Sequence, residues 1–133
     1  MRLAIEEAWK SKEPFRCGAV IVKGKDVIAN SCNSPRTSKD ASAHAEINAI
    51  RHAGKKLGNK YLDGCRIYST CEPCVMCLSA LVYARIGKII YGIRLKELSS
   101  KPIDIDIDTF LSKSPHRIKI VKGFMEKECR ELL

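Results

Sequence analysis

Apolar residues recur along this chain in short blocks parted by polar turns, and the length and spacing of the blocks predict its elements. Leu3, Ile5, Ala8 and Trp9 stand among Arg2, Glu6, Glu7, Lys10 and Lys12 at near-helical spacing. That predicts an amphipathic helix over 2–12, ended by Pro14. Gly18 to Lys23 is compact and rich in β-branched residues; Gly24-Lys25-Asp26 turns it, and Val27 to Cys32 returns. The pair reads as an antiparallel hairpin. Asn33 to Ser42 is polar, contains Pro35 and reads as a loop. From Ala43 the pattern is helical through Ile47, Ala49, Ile50 and Ala53, closing between Gly54 and Gly58. Cys65 to Thr70 alternates as a strand. Pro73 suits the first turn of a helix that continues to Tyr83. Lys88 to Ile93 is another apolar strand. Residues 94–116 are polar and irregular, although Ile103 to Asp108 alternates strictly, as an edge strand with one acidic face would. Arg117 to Val121 predicts a last strand and Met125 to Leu133 a last helix.

Strand, helix, strand, helix, strand in succession implies parallel neighbours joined by right-handed crossovers. The expected fold class is α/β: a three-layer α/β/α arrangement with a five-stranded mixed sheet. The 133 residues, 45% of them hydrophobic, are enough for one domain over 1–133 with a single core. No apolar run approaches the 18 or so residues that a membrane span needs. The amphipathic start, acidic at Glu6 and Glu7, lacks the apolar segment of a signal peptide. A cytoplasmic protein with no membrane partner is therefore expected.

The cysteine count changes this picture. There are 7, an odd number, and Cys71, Cys74 and Cys77 fall close together. With no export signal, metal binding accounts for that cluster better than a disulfide framework. Cys17, Cys32, Cys65 and Cys129 lie in apolar contexts and read as small buried side chains. The net charge of +9 admits nucleic acid or an anionic substrate as a partner, and equally a solvated lysine-rich surface.

The chemistry concentrates in His44-Ala45-Glu46 and Cys74-Val75-Met76-Cys77. Alone, the first is an ordinary helix start and the second a structural zinc half-site or redox pair. Together they supply one imidazole, two thiols and a carboxylate at the starts of two helices that each follow a strand. Cys74 and Cys77, three apart, share a helix face. Two thiolates and a neutral imidazole hold Zn2+ and leave its fourth position to water, a catalytic rather than a closed site. His44 and Glu46 are two apart and point in different directions on a helix. That leaves Glu46 as the proton shuttle and His44, Cys74 and Cys77 as the metal ligands. A non-catalytic zinc-stabilised binding module stays open, but it has no use for Glu46. His52 and His116 are not expected to bind metal.

These residues resemble the zinc-dependent cytidine deaminase superfamily, whose signature is His-x-Glu followed by Pro-Cys-x-x-Cys; here it is His44-Ala45-Glu46 and Pro73-Cys74-Val75-Met76-Cys77. Gly18 to Val22 resembles the family's first strand, and Ala84 to Gly92 the segment after its cysteine helix. The resemblance implies a cytidine-deaminase-like fold, one zinc per subunit and a homodimer. The implied reaction is hydrolytic deamination: water adds to an amino-substituted ring carbon, Glu46 protonates the amine, and ammonia leaves. It also implies that Asn33 and Ala45 contact the substrate base.

The resemblance is to the branch holding guanine deaminases and tRNA adenosine deaminases. Ser69 to Cys74 and Asn48 to Arg51 are similar to guanine deaminases, which also use an acidic residue on a C-terminal tail. Asp104, Asp106 and Asp108 are the candidates by position. Cys74 to Cys77 and His116 to Leu133 are similar to bacterial tRNA adenosine deaminases. The chain ends at Leu133, where that enzyme carries a further basic helix, and this places a small-molecule substrate first: a free purine base or nucleoside. tRNA is the alternative, and a pyrimidine (cytosine, cytidine or dCMP) comes third. The loop Pro14-Phe15-Arg16-Cys17 departs from the family, which puts Phe15 away from a base-stacking position. Arg36 either meets a phosphate or is solvated.

Overall fold

The structure, a computed structural model, describes residues 1–98, 103 and 105–133. The run Gly18–Lys23, apolar up to its last residue, forms β1, buried on both faces except at Lys23, as a central strand must be. Its hairpin partner β2 (Asp26–Cys32) lies at one edge of a sheet ordered β2-β1-β3-β4-β5. Strand β3 (Cys65–Cys71) pairs antiparallel with β1. Strands β4 (Lys88–Ile93) and β5 (Lys119–Val121) then run parallel to β3. The sheet is five-stranded and mixed, as expected. The first crossover differs from the simple succession: it leaves β2 and enters β3, so it passes over β1 instead of joining neighbours.

Helices α3 (Ala45–Leu57) and α4 (Val75–Tyr83) cover one face. There Ala45, Ala49 and Ala53 meet Ile21, Ile67, Ile89 and Tyr91, and Leu78 and Leu81 complete the core. Leu78 and Leu81 are almost fully buried. Each contributes about 2 kcal/mol by transfer from water, and they anchor the helix that carries Cys77. On the other face α1 (Arg2–Trp9) packs Ala4 against Val20 and Val22. The approach is close. A Cβ on Gly18 would lie 1.9 Å from the Ala4 carbonyl oxygen. Helix α6 (Glu126–Arg130) does the same further along: a Cβ on Gly92 would meet Cys129 Sγ at 2.5 Å.

Three elements depart from the sequence reading. Helix α1 stops at Trp9 because Ser11 turns inward and donates its hydroxyl to the Asn33 carbonyl oxygen, 2.9 Å away. The loop after β2 contains one helical turn, α2 (Pro35–Ser38), with Pro35 at its first position. The alternating stretch is not an edge strand where it is described: Asp106 accepts from Thr109 N and Oγ1 and caps α5 (Ile107–Ser112), whose Ile107 is buried. A capping carboxylate and a core-facing isoleucine outweigh the period-two pattern. Asp104 lies outside the described residues. Among the described residues no helix is long and apolar enough to cross a membrane.

Candidate active site

Strands β2, β3 and β4 end on one side of the sheet, and antiparallel β1 begins there. Open α/β sheets bind ligands at such a rim. The residues just outside the rim line a cavity of about 450 Å³. Its wall comes from Glu13, Pro14, Phe15 and Cys17 before β1, Asn33, Pro35 and Arg36 after β2, Cys71, Glu72 and Cys74 after β3, and Leu95 and Leu98 after β4; His44, Ala45 and Glu46 at the start of α3 complete it.

His44 and Cys74 occupy equivalent places. Each is the residue immediately before its helix, in extended backbone, and neither caps it with its side chain. That position usually holds Ser, Asp or Asn. Here imidazole and thiol are free to turn inward. His44 Nδ1 lies 3.6 Å from both Cys74 Sγ and Cys77 Sγ, and the sulfurs are 3.7 Å apart. A tetrahedral zinc with bonds of about 2.3 Å to sulfur and about 2.0 Å to nitrogen has ligand edges of about 3.8 and 3.5 Å. The triangle fits zinc without rearrangement, and it is the candidate metal site among the described residues. The hydrogen-bonding contact with Cys77 holds the Cys74 thiol down to about 4, and the same contact together with burial pushes Cys77 up. The hydrogen bond to Cys74 raises the His44 imidazole.

Glu46 is buried within the first turn of α3. Its Oε1 accepts from Ser69 Oγ at 3.1 Å, and its Oε2 is 3.5 Å from Cys77 Sγ. Burial pushes its carboxyl above the usual range. Cys17 beside it is pushed up to about 12, first by burial and then by Glu46, so it stays a neutral thiol.

The structure sorts the remaining expectations. Asn33 lines the cavity, but its amide is engaged with the backbone: Oδ1 accepts from Cys17 N and Nδ2 donates to Phe15 O, each at 2.8 Å. Ala45 and Phe15 both line the cavity. Arg36 stands exposed at the cavity wall. Asp106 does not reach this cavity; it lines a second one of about 410 Å³, and Asp108 pairs with Lys122. His52 and His116 are exposed and lie outside the metal triangle. Cys17, Cys65 and Cys129 are buried and Cys32 half-buried. Sequence reasoning missed Glu13, Ser69 and Glu72. Glu72 accepts from Leu95 N at 3.0 Å through Oε2 and so fixes the Leu95 wall to the metal loop. Ser69 carries a readable signal, the same strand face as Ile67 and Cys71; Glu13 carries none.

Fold and metal centre together define a class, the zinc-dependent hydrolytic deaminases. The chain belongs to the cytidine and deoxycytidylate deaminase family, whose zinc-binding region matches residues 1–93. It is 33% identical over 135 residues to the tRNA-specific adenosine deaminase of Buchnera aphidicola subsp. Schizaphis graminum, an alignment covering 100% of this chain and 88% of that enzyme. It is 44% identical over 100 residues to the guanine deaminase of Bacillus subtilis, covering 75% of this chain and 61% of that enzyme. A solved tRNA:A34 deaminase superposes with a TM-score of 0.87 at 36% identity, covering 100% of this chain and 97% of that one.

Proposed function

We propose that this deaminase acts on adenosine within tRNA and converts it to inosine. The observation that carries the reading is the end-to-end likeness to tRNA adenosine deaminases, in sequence and in fold. The likeness to guanine deaminase, at 44% identity, covers 75% of the chain, and a tRNA-specific adenosine deaminase of Aquifex aeolicus reaches the same 44% over 69% of it. The order drawn from the sequence, free purine first, is thereby reversed. Of the acidic residues offered for guanine, Asp106 caps a helix and lines a separate cavity, and Asp108 pairs with Lys122.

In this reading His44, Cys74 and Cys77 hold the zinc. Bound there, zinc supplies a Lewis acid that makes water nucleophilic at neutral pH. Everything else is done by the chain. Ser69 fixes one oxygen of Glu46, and Oε2 is left to carry the proton once Cys77 is a thiolate. Glu46 takes the proton from the attacking water and gives it to the departing amine, so that water is consumed and ammonia released. Phe15, Leu95 and Leu98 supply apolar surface for the base, and Asn33 holds the 15–17 loop against it.

Guanine remains the second reading because of the 44% identity over 100 residues. Ammonia release from a tRNA anticodon hairpin, adenosine, guanine and cytidine separates the two. Release from the hairpin supports the proposal; release from guanine alone replaces it. The protein partner we propose is a second copy. Helix α4 leaves Met76 half-buried and Tyr83 82% exposed on one apolar surface, whereas Leu81, which the sequence grouped with them, faces the core.

A further inference from the structure

We propose that Arg36 is a phosphate contact at the cavity mouth, held in place by the buried carboxylate of Glu13, and that it grips the phosphodiester next to the base being deaminated. The inference rests on the RNA reading above and names how that substrate is held.

Charge around the cavity is unevenly placed. Its lining carries three carboxylates, Glu13, Glu46 and Glu72, and among the described residues Arg36 is the one lysine or arginine. An anionic group is repelled from such an interior, whereas a neutral base is not. A nucleotide therefore enters base first and leaves its phosphates at the mouth, where Arg36 stands exposed. Three other arginines are committed to carboxylates: Arg51 pairs with Asp40, Arg85 with Asp63, and Arg130 with Glu97 and Glu126. Arg36 has no ion pair among the described residues. Its guanidinium offers a planar fork of donors that matches a phosphate.

What makes Arg36 more than a solvated side chain is its mounting. Helix α2 has 4 residues, too few to hold its shape unaided. Glu13, 5% exposed, supplies the missing support. Its Oε1 accepts from Thr37 N at 3.0 Å and from Thr37 Oγ1 at 2.9 Å, across 24 residues of sequence. Burial opposes ionisation of Glu13, but the Thr37 bonds, together with the Arg36 backbone N–H and the Arg36 charge, hold the carboxyl below its usual range. The segment carrying Glu13 is itself tied down, because Glu13 N donates to Ser11 Oγ and Ser11 Oγ donates to the Asn33 carbonyl oxygen. The loops on either side of α2 and before β1 thus form one braced wall, and Arg36 is its projecting charge. A free base has no phosphate for Arg36 to meet, so its contribution belongs to a nucleic-acid substrate.

The test is steady-state deamination of an RNA hairpin by the zinc-loaded full chain, over a salt series. Failure of the wild-type chain on RNA defeats the functional reading itself. With wild-type activity in hand, Arg36→Ala should raise KM about tenfold, the size of one charge-assisted hydrogen bond, with kcat retained. It should also flatten the slope of log affinity against log salt by about 0.7, the value for one phosphate on a single strand. Glu13→Ala should reproduce the KM increase. Glu13→Gln should restore most of it, because its amide oxygen still accepts from Thr37. The double variant Arg36→Ala/Glu13→Ala should be no worse than Arg36→Ala, since both changes remove one contact. If Glu13→Ala does not fold, Thr37→Val, which removes only the hydroxyl bond, should still raise KM. An unchanged KM and salt slope in Arg36→Ala overturns the phosphate contact. Additive effects in the double variant, or an unchanged KM in Thr37→Val, overturn the role of Glu13.

Discussion

At the residue scale the active centre depends on two side chains that decline an ordinary task. His44 and Cys74 sit where helix caps sit, yet neither caps, and both turn to a common point with Cys77. Glu46, in the first turn of α3, reaches that point without completing the triangle. Glu46→Gln should therefore keep the zinc, measured by metal analysis, while turnover falls about a thousandfold; loss of the metal as well would make Glu46 a ligand. The thiol pair gives a second expectation. With Cys74 held near 4 and Cys17 near 12, metal-free protein at neutral pH should be alkylated by iodoacetamide at Cys74 before Cys17, and zinc should protect Cys74. Peptide mass mapping reads this directly. These four site residues were legible in the sequence because each pair is local and its chemistry is specific. Glu13 was not, because its partner Thr37 is 24 residues away and a lone glutamate near a proline carries no pattern.

At the element scale, the buried strands were legible and the short elements were not. β1 and β4 are continuous apolar runs that only a central position in a sheet accommodates. α2 and α5 are single turns set by a proline and by a capping aspartate, against a polar or alternating background. The crossover over β1 is also absent from periodicity, which orders elements but not their neighbours. Close packing makes one element-level prediction sharp. Gly18→Ala places a methyl group inside the backbone of α1, and the helix must lift away from β1. The expected cost is about 3 kcal/mol in urea-induced unfolding; a variant as stable as wild type would mean that α1 is not seated as described.

At the scale of the whole molecule, a positively charged exterior surrounds an acidic, partly apolar cavity. On the proposed reading, the chain's +9 charge attracts a polyanion, while Glu13, Glu46 and Glu72 favour entry of its neutral base. The apolar surface of α4 adds an assembly prediction: gel filtration should give a dimer, and Tyr83→Asp should shift it to monomer. Elution as a monomer at all concentrations would remove the second copy from the account. The open metal site was legible from the ligand set, and the reaction from the family resemblance that the same residues carry. The substrate was not, because it depends on loops brought together from four separate strand ends. The most direct test of the whole account is mass spectrometry of a tRNA anticodon hairpin after incubation with the zinc-loaded protein. The account predicts conversion of one adenosine to inosine with release of one ammonia. An unchanged hairpin alongside quantitative conversion of guanine to xanthine would contradict it.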